Sequence, residues 1–296
     1  MKVAIAGSTG LLGSAMVEAL EARGDEVVAL VRRPPRSGEI QWDIAAGILD
    51  PGALEGLDAV INLAGEPLAN KKWSDEQKKR IEDSRIAASS LLAASIAAAD
   101  AGPKVWLNGS AVGFYGDRGS DKLTEESTGG SGYLADVVQQ WEEATAEAEA
   151  AGVRVVHLRT GIVLSADGGA MAEVLPFFKI GLGGRIGKGD QYWSWISIND
   201  AVGAMLHALD NEVVSGPINL TGPTPLTNAA YTKALGKALG RPTPFPTPTP
   251  ALWVRLGRET TEEMLMTSLR VLPQKLLDTG YVFRHETMAE ALEELL

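Results

Sequence analysis

The sequence predicts an α/β protein, a Rossmann-type doubly wound parallel sheet with a smaller, discontinuous C-terminal α/β substrate domain. Three observations predict it. Short apolar runs alternate with helix-spaced apolar segments as far as about residue 165, a glycine-rich turn joins the first run to the first helix, and the pattern changes after Val163. Near-continuous apolar strands alternating with amphipathic helices belong to a sheet covered on both faces.

The elements follow in order. Lys2 to Ala6 reads as a strand, Leu11 to Arg23 as a helix and Glu26 to Val31 as the second strand, a βαβ unit. Ala59 to Leu63 is the next clear strand, Ser74 to Ala99 one long helix, Lys104 to Asn108 a strand, Tyr133 to Ala151 a helix and Val153 to Leu158 a strand. Then come a glycine-rich stretch from Gly181 to Gly189, an aromatic segment from Tyr192 to Ile198, a helix from Asn199 and a strand near Ile218. Five of the fifteen prolines stand at alternate positions from Pro242 to Pro250, which predicts an extended connector before the last amphipathic helices. The expected division is a dinucleotide-binding domain of residues 1–165 plus about 199–222, and a substrate-side domain of about 166–198 plus 223–296, with a cleft between them.

Composition excludes several function classes. With 45% hydrophobic residues the 296-residue chain can bury a core, so it is not intrinsically disordered. Lys+Arg 27 against Asp+Glu 38 gives a net charge of −11, which argues against a nucleic-acid partner. The absence of cysteine removes disulfides and thiolate chemistry, and the three histidines, His157, His207 and His285, are scattered along the chain, so no metal is expected. No apolar run reaches the roughly 18 residues of a membrane span, so no membrane partner and a cytoplasmic location are expected.

The segment Gly7-Ser8-Thr9-Gly10-Leu11-Leu12-Gly13 lies between the first strand and the first helix. Glycines there let the chain turn sharply and bring a helix N-terminus, with unpaired N–H groups, against a pyrophosphate. Gly7, Thr9, Gly10, Leu11, Leu12 and Gly13 are therefore candidate dinucleotide contacts. The second strand ends in Arg32 and Arg33, where NAD-preferring sheets carry an acid. Two guanidiniums suit a 2′-phosphate, so NADP (NADPH) is the expected cofactor. A strand end solubilised by charge fits the same residues. Asp43 stands where a carboxylate can accept from the adenine amino group, or in an ordinary loop. Leu63, Ala64 and Gly65 are small or apolar and let the backbone approach the ribose and nicotinamide side. Ser110 marks the mouth of the strand that runs into Gly116. Trp193 and Trp195 share one strand face by their spacing of two.

In these segments, together with Asp83-Ser84-Arg85, Trp141-Glu142, Leu158 to Leu164, Trp195 to Asp200 and Gly216 to Gly222, the chain resembles an atypical, extended short-chain dehydrogenase/reductase. The resemblance is to the NAD(P)-dependent epimerase/dehydratase superfamily, in its epimerase-family, cell-division-inhibitor-like branch with a C-terminal domain of unknown function. It covers nearly the whole chain. It implies an NADP-dependent oxidoreductase or nucleotide-sugar-type epimerase acting on a small polar substrate; the alternative is a non-catalytic NADP(H)-binding sensor. In the superfamily a Tyr, a Lys four residues on and an upstream Ser or Thr move the proton while hydride moves to or from the nicotinamide. The resemblance puts Tyr133 and Ser110 at the Tyr and Ser positions and Val137 where the lysine belongs, so the Tyr–Lys pair is incomplete. It also implies Ser84 and Arg85 on the nicotinamide or phosphate side, Val163 over the carboxamide, and Arg185, Lys188 and Gln191 on a substrate loop. Homodimerisation through the two long helices is a further implication.

Overall fold

The computed structural model describes residues 1–296. Seven parallel strands form the central sheet: β1 (Lys2–Ala6), β2 (Glu26–Val31), β3 (Glu39–Gln41), β4 (Ala59–Asn62), β5 (Val105–Ala111), β6 (Arg154–Thr160) and β7 (Gly216–Leu220). Their order across the sheet is β7-β6-β5-β4-β1-β2-β3. The chain therefore reverses its direction of travel between β1 and β4, and the crevice at the carboxyl ends of those strands is where such sheets bind ligands.

Both faces are covered because both are apolar. The alternate side chains Val3 and Ile5 pack with Ile61, Leu107 and Leu158 under helices α1 (Leu11–Ala22) and α7 (Ile198–Asp210). Ala4, Ala6, Val60 and Trp106 face the other layer, which contains α3 (Ile86–Ala98) and α5 (Ala146–Ala150). A third cluster builds the smaller unit: Leu164 and Trp195 pack with α6 (Gly169–Lys179), α8 (Asn228–Ala238) and the last helix, Met288–Leu295. Trp195 is in that core and Trp193 packs against it, as the spacing of two predicts.

Two predicted helices are broken. The long one divides into α2 (Asp75–Asp83) and α3, because Ser84 and Arg85 turn their side chains back onto the main-chain O of Ile81 instead of continuing the helix face. The other divides into α4 (Tyr133–Glu143) and α5, where the Thr145 hydroxyl donates to the main-chain O of Glu142. The proline-alternating segment is irregular until α9 (Thr249–Leu256), which takes Pro250 into its first turn, the one place a helix accepts it.

Candidate functional site

The phosphate end of the crevice is built from backbone. Gly7 has φ +79°, and a Cβ there would stand 2.8 Å from the main chain of Leu63 on the next strand end. A Cβ on Gly13 would fall 2.0 Å from the carbonyl O of Gly7, so the helix can lie this close to the turn only with glycine. Gly10 differs: its Cβ would meet only the Gly7 O, at 3.3 Å, and would otherwise project into open space. Helix α1 starts at that point with no side-chain cap and no acid in its first turn, so its leading N–H groups and dipole face the crevice unneutralised. This is a cradle that a phosphate fits and a side chain would fill.

Of the other predicted contacts, Leu63, Ala64 and Val163 lie beside the same turn. The N–H of Leu63 donates to Ala6 O at 2.9 Å, and that of Ala64 to the Asn62 side chain at 3.2 Å, which fixes the β4 exit beside the glycine turn. Gly168 and Gly169 lie against Leu11, and the Val163 O is 3.7 Å from a Cβ built on Gly169, so Val163 and the glycine loop adjoin. Arg32 and Arg33 end β2 in solvent, and Arg33 is paired with Glu39 at 2.6 Å. Asp43 is exposed and accepts at 3.0 Å from the N–H of Ala46, so one carboxylate oxygen holds its own turn.

Ser84 and Arg85 are half-buried and turned onto the loop that follows β4. The Ser84 hydroxyl accepts from the Glu66 N–H at 2.9 Å and donates to Ile81 O at 3.0 Å. The Arg85 guanidinium donates to Glu66 O and Ile81 O, both at 3.1 Å, and lies 5.3 Å from the Trp141 ring. Burial pushes its pKa down to about 10, and no carboxylate pairs with it. A Cβ on Gly65 would stand 3.2 Å from this guanidinium, so Arg85 braces the loop that follows β4.

The other end of the crevice is built from side chains, and its predicted members hydrogen-bond to different partners. Ser110 donates to Glu142 at 2.6 Å; Glu142 also takes both arms of Arg159, at 2.8 Å each. Tyr133 instead donates to the main-chain O of Lys78 at 3.1 Å, with Trp73 packed edge-on at 5.0 Å. Burial and the neighbouring Glu82 push the Tyr133 phenol well above its usual range, the opposite of what a phenolate base requires. Val137 is 3% exposed and packs in the core.

Among the predicted substrate-side residues, Lys188 is exposed and Arg185 half-buried, and neither side chain has a partner within the chain. Gln191 departs from expectation. It is buried and donates to the main-chain O of Ile186 at 3.4 Å and of Leu265 at 3.1 Å, tying the glycine-rich loop to the π-helical turn Glu262–Met266.

Several residues escaped the sequence reading. Asn62, Ser89, Asn108 and the Trp141 indole form a buried polar knot between β4, β5, α3 and α4. Polar residues ending otherwise apolar strands were the available signal. Asp200 does more than begin α7: its carboxylate accepts from the N–H groups of Arg284 and His285, at 2.7 and 3.0 Å, anchoring the C-terminal segment. Glu263 accepts at 3.3 Å from the Leu134 N–H at the start of α4. Nothing local in the sequence announces that contact across the chain.

Residues 3–220 match the NAD dependent epimerase/dehydratase family, and residues 247–295 match a domain of unknown function, DUF1731. The chain belongs to the epimerase/dehydratase family. An epimerase family protein of Mycobacterium bovis is 45% identical over 291 residues, covering 98% of this chain and 96% of its own length. The human epimerase family protein SDR39U1 is 37% identical over the full length of both chains. The crystal structure of its isoform 2 with NADPH superposes with a TM-score of 0.91, at 35% identity, over 100% of this chain and 99% of that one. A Corynebacterium glutamicum structure described as a nucleoside-diphosphate sugar epimerase gives 0.82 at 36% identity, over 100% of this chain and 58% of that one. This family member is thus an NAD(P)-binding, short-chain dehydrogenase/reductase-type protein. No helix is long and apolar enough to cross a membrane, and no three His, Cys, Asp or Glu side chains are grouped to hold a metal ion.

Proposed function

We propose that the protein holds NADPH in the crevice between β1 and β4 and acts on a small polar substrate, as an oxidoreductase or nucleotide-sugar-type epimerase, with Tyr133 as a neutral hydrogen-bond donor. The observation that carries the cofactor half is the glycine cradle: Gly7 and Gly13 have no room for a Cβ, Gly10 faces open space, and α1 begins uncapped behind it. The human relative crystallised with NADPH supports the choice of nucleotide. In this reading the α1 N–H groups and Thr9 bind the pyrophosphate, Arg32 the 2′-phosphate and Asp43 the adenine, while Leu63 to Gly65 and Val163 flank the nicotinamide ribose and carboxamide. Arg85 sets the β4 exit and adds a cation without a carboxylate partner. When bound, the nicotinamide supplies hydride exchange with the substrate.

The raised phenol pKa supports the chemical half. Tyr133 can donate to a substrate oxygen while staying protonated, and Val137 cannot ease its ionisation. Arg185 and Lys188 are the unpaired groups for a polar or anionic substrate.

A second reading, an NADPH-holding sensor without turnover, is favoured by one observation: the Ser110 and Tyr133 hydroxyls are already taken by Glu142 and the main chain of Lys78. Titration with NADPH and NADH, followed by addition of carbonyl compounds and nucleotide sugars, separates the two. Oxidation or product epimers support the enzyme, saturable binding without turnover the sensor, and no binding contradicts both.

A further inference from the structure

The two arginines that end β2 are not equivalent. Arg33 donates with both arms to Glu39, Nη1 to Oε2 at 2.7 Å and Nη2 to Oε1 at 2.6 Å, and its Nη1 also reaches Pro34 O at 3.0 Å. The Arg36 N–H donates to the same Oε2 at 2.7 Å. These contacts hold the Glu39 carboxyl at a pKa of about 2, mainly through the Arg33 hydrogen bonds, so it is ionised throughout the neutral range. Glu39 opens β3, and the parallel register that sets Ala29 against Glu39 and Val31 against Gln41 fixes it beside the end of β2. Arg32, one residue earlier, is exposed and has no partner within the chain.

A bidentate guanidinium–carboxylate pair uses the planar fork that would otherwise clasp a phosphate, and the pair is neutral as a unit. At the end of β2 itself a 2′-phosphate therefore meets one free guanidinium, Arg32, with a carboxylate nearby; Arg36, in the loop that follows, is also exposed and its side chain has no partner within the chain. Resting on the cofactor reading above, we propose that Glu39 is a specificity-determining residue: by engaging Arg33 it withholds that guanidinium from the adenosine 2′-phosphate, leaves Arg32 as the one free guanidinium at the end of β2 and keeps the preference for NADPH over NADH modest. Neither arginine alone shows this in the sequence. It follows from the pairing.

Dissociation constants for NADPH and NADH, measured by nicotinamide fluorescence on the full chain and three variants, test it. Glu39→Gln keeps the side-chain shape and removes the charge; it should tighten NADPH by about three- to tenfold, as expected for one added exposed charged contact, and leave NADH within about twofold. Arg33→Ala frees the Glu39 carboxylate and should lower the NADPH:NADH ratio by about two- to threefold, whereas Arg32→Ala should bring it close to one. A ratio that falls or does not move in Glu39→Gln overturns the proposal. So does an Arg33→Ala variant that loses the preference as fully as Arg32→Ala. A wild type that prefers NADPH while Glu39→Gln leaves the ratio unchanged refutes only this inference; a wild type that binds neither nucleotide overturns the cofactor reading and this one together.

Discussion

The two ends of the crevice are made of different material. At the phosphate end the contacts come from main-chain atoms of one continuous stretch, Gly7 to Gly13, and from the start of α1. At the proton-transfer end the contacts come from side chains on separate elements: Ser110 with Glu142 and Arg159, Tyr133 with Trp73 and the main chain of Lys78, and Glu263 from the C-terminal segment. A backbone-built site is preserved as long as the glycines are. A side-chain-built site changes its chemistry whenever one distant partner changes; here the glycine turn is intact at one end, while at the other Val137 stands where the family resemblance leads one to expect a lysine.

The largest effect that sharpens this contrast is expected at Gly13. Gly13→Ala drives a Cβ into the Gly7 carbonyl at 2.0 Å, where only backbone movement can relieve the clash. We expect a loss of about 3 kcal/mol or more of stability, read as a fall of roughly 5–10 °C in Tm, together with loss of nucleotide binding. An unchanged Tm would show that the turn is less rigid than described.

Next comes Val137→Lys. Restoring the family's lysine puts an ammonium at a position that is 3% exposed, so its charge must be taken out of water. The expected result is a destabilisation of about 3 kcal/mol or more in chemical denaturation and no gain in hydride exchange. A stable variant with new activity would contradict the placement of α4.

The smallest effect concerns Tyr133 and pH. Its folded pKa is raised, so its contribution to stability is fully present below the usual phenol range and is lost as pH rises through and beyond that range. Tyr281, against Asp200, is raised also, by burial first. A spectrophotometric phenolate titration of wild type against Tyr133→Phe should show one fewer group, titrating late, while Tm near neutral pH changes by about 1 kcal/mol equivalent or less. Early ionisation of Tyr133 would restore it as a base.

Legibility in the sequence follows the same division. The parallel sheet was readable because each of its long strands is an apolar run bounded by turn residues, and the glycine turn because only glycine satisfies the clash at Gly13. The break between α2 and α3 was not readable: apolar spacing continues through Ser84 and Arg85, and the break depends on side chains folding back to Ile81 and to the Glu66 loop. Gln191 looked like a polar loop residue, yet the partner that buries it, Leu265, lies 74 residues away. The motif Trp141-Glu142 was recognisable as a pattern, but its roles, an indole on Ser89 and a carboxylate between Ser110 and Arg159, exist only after α4 has packed on the sheet.

Under the proposed function, the open space in front of Gly10 receives the cofactor's phosphates. The most direct test of this is an NADPH titration of wild type and Gly10→Val, with Tm measured on both. The φ of −77° at Gly10 suits any residue, and the added Cβ would meet only the Gly7 O, at 3.3 Å, which a shift of a few tenths of an ångström relieves. The account predicts saturable binding by wild type, no measurable binding by Gly10→Val, and closely similar Tm values without nucleotide. Retained binding by the variant, or no binding by wild type, would contradict it.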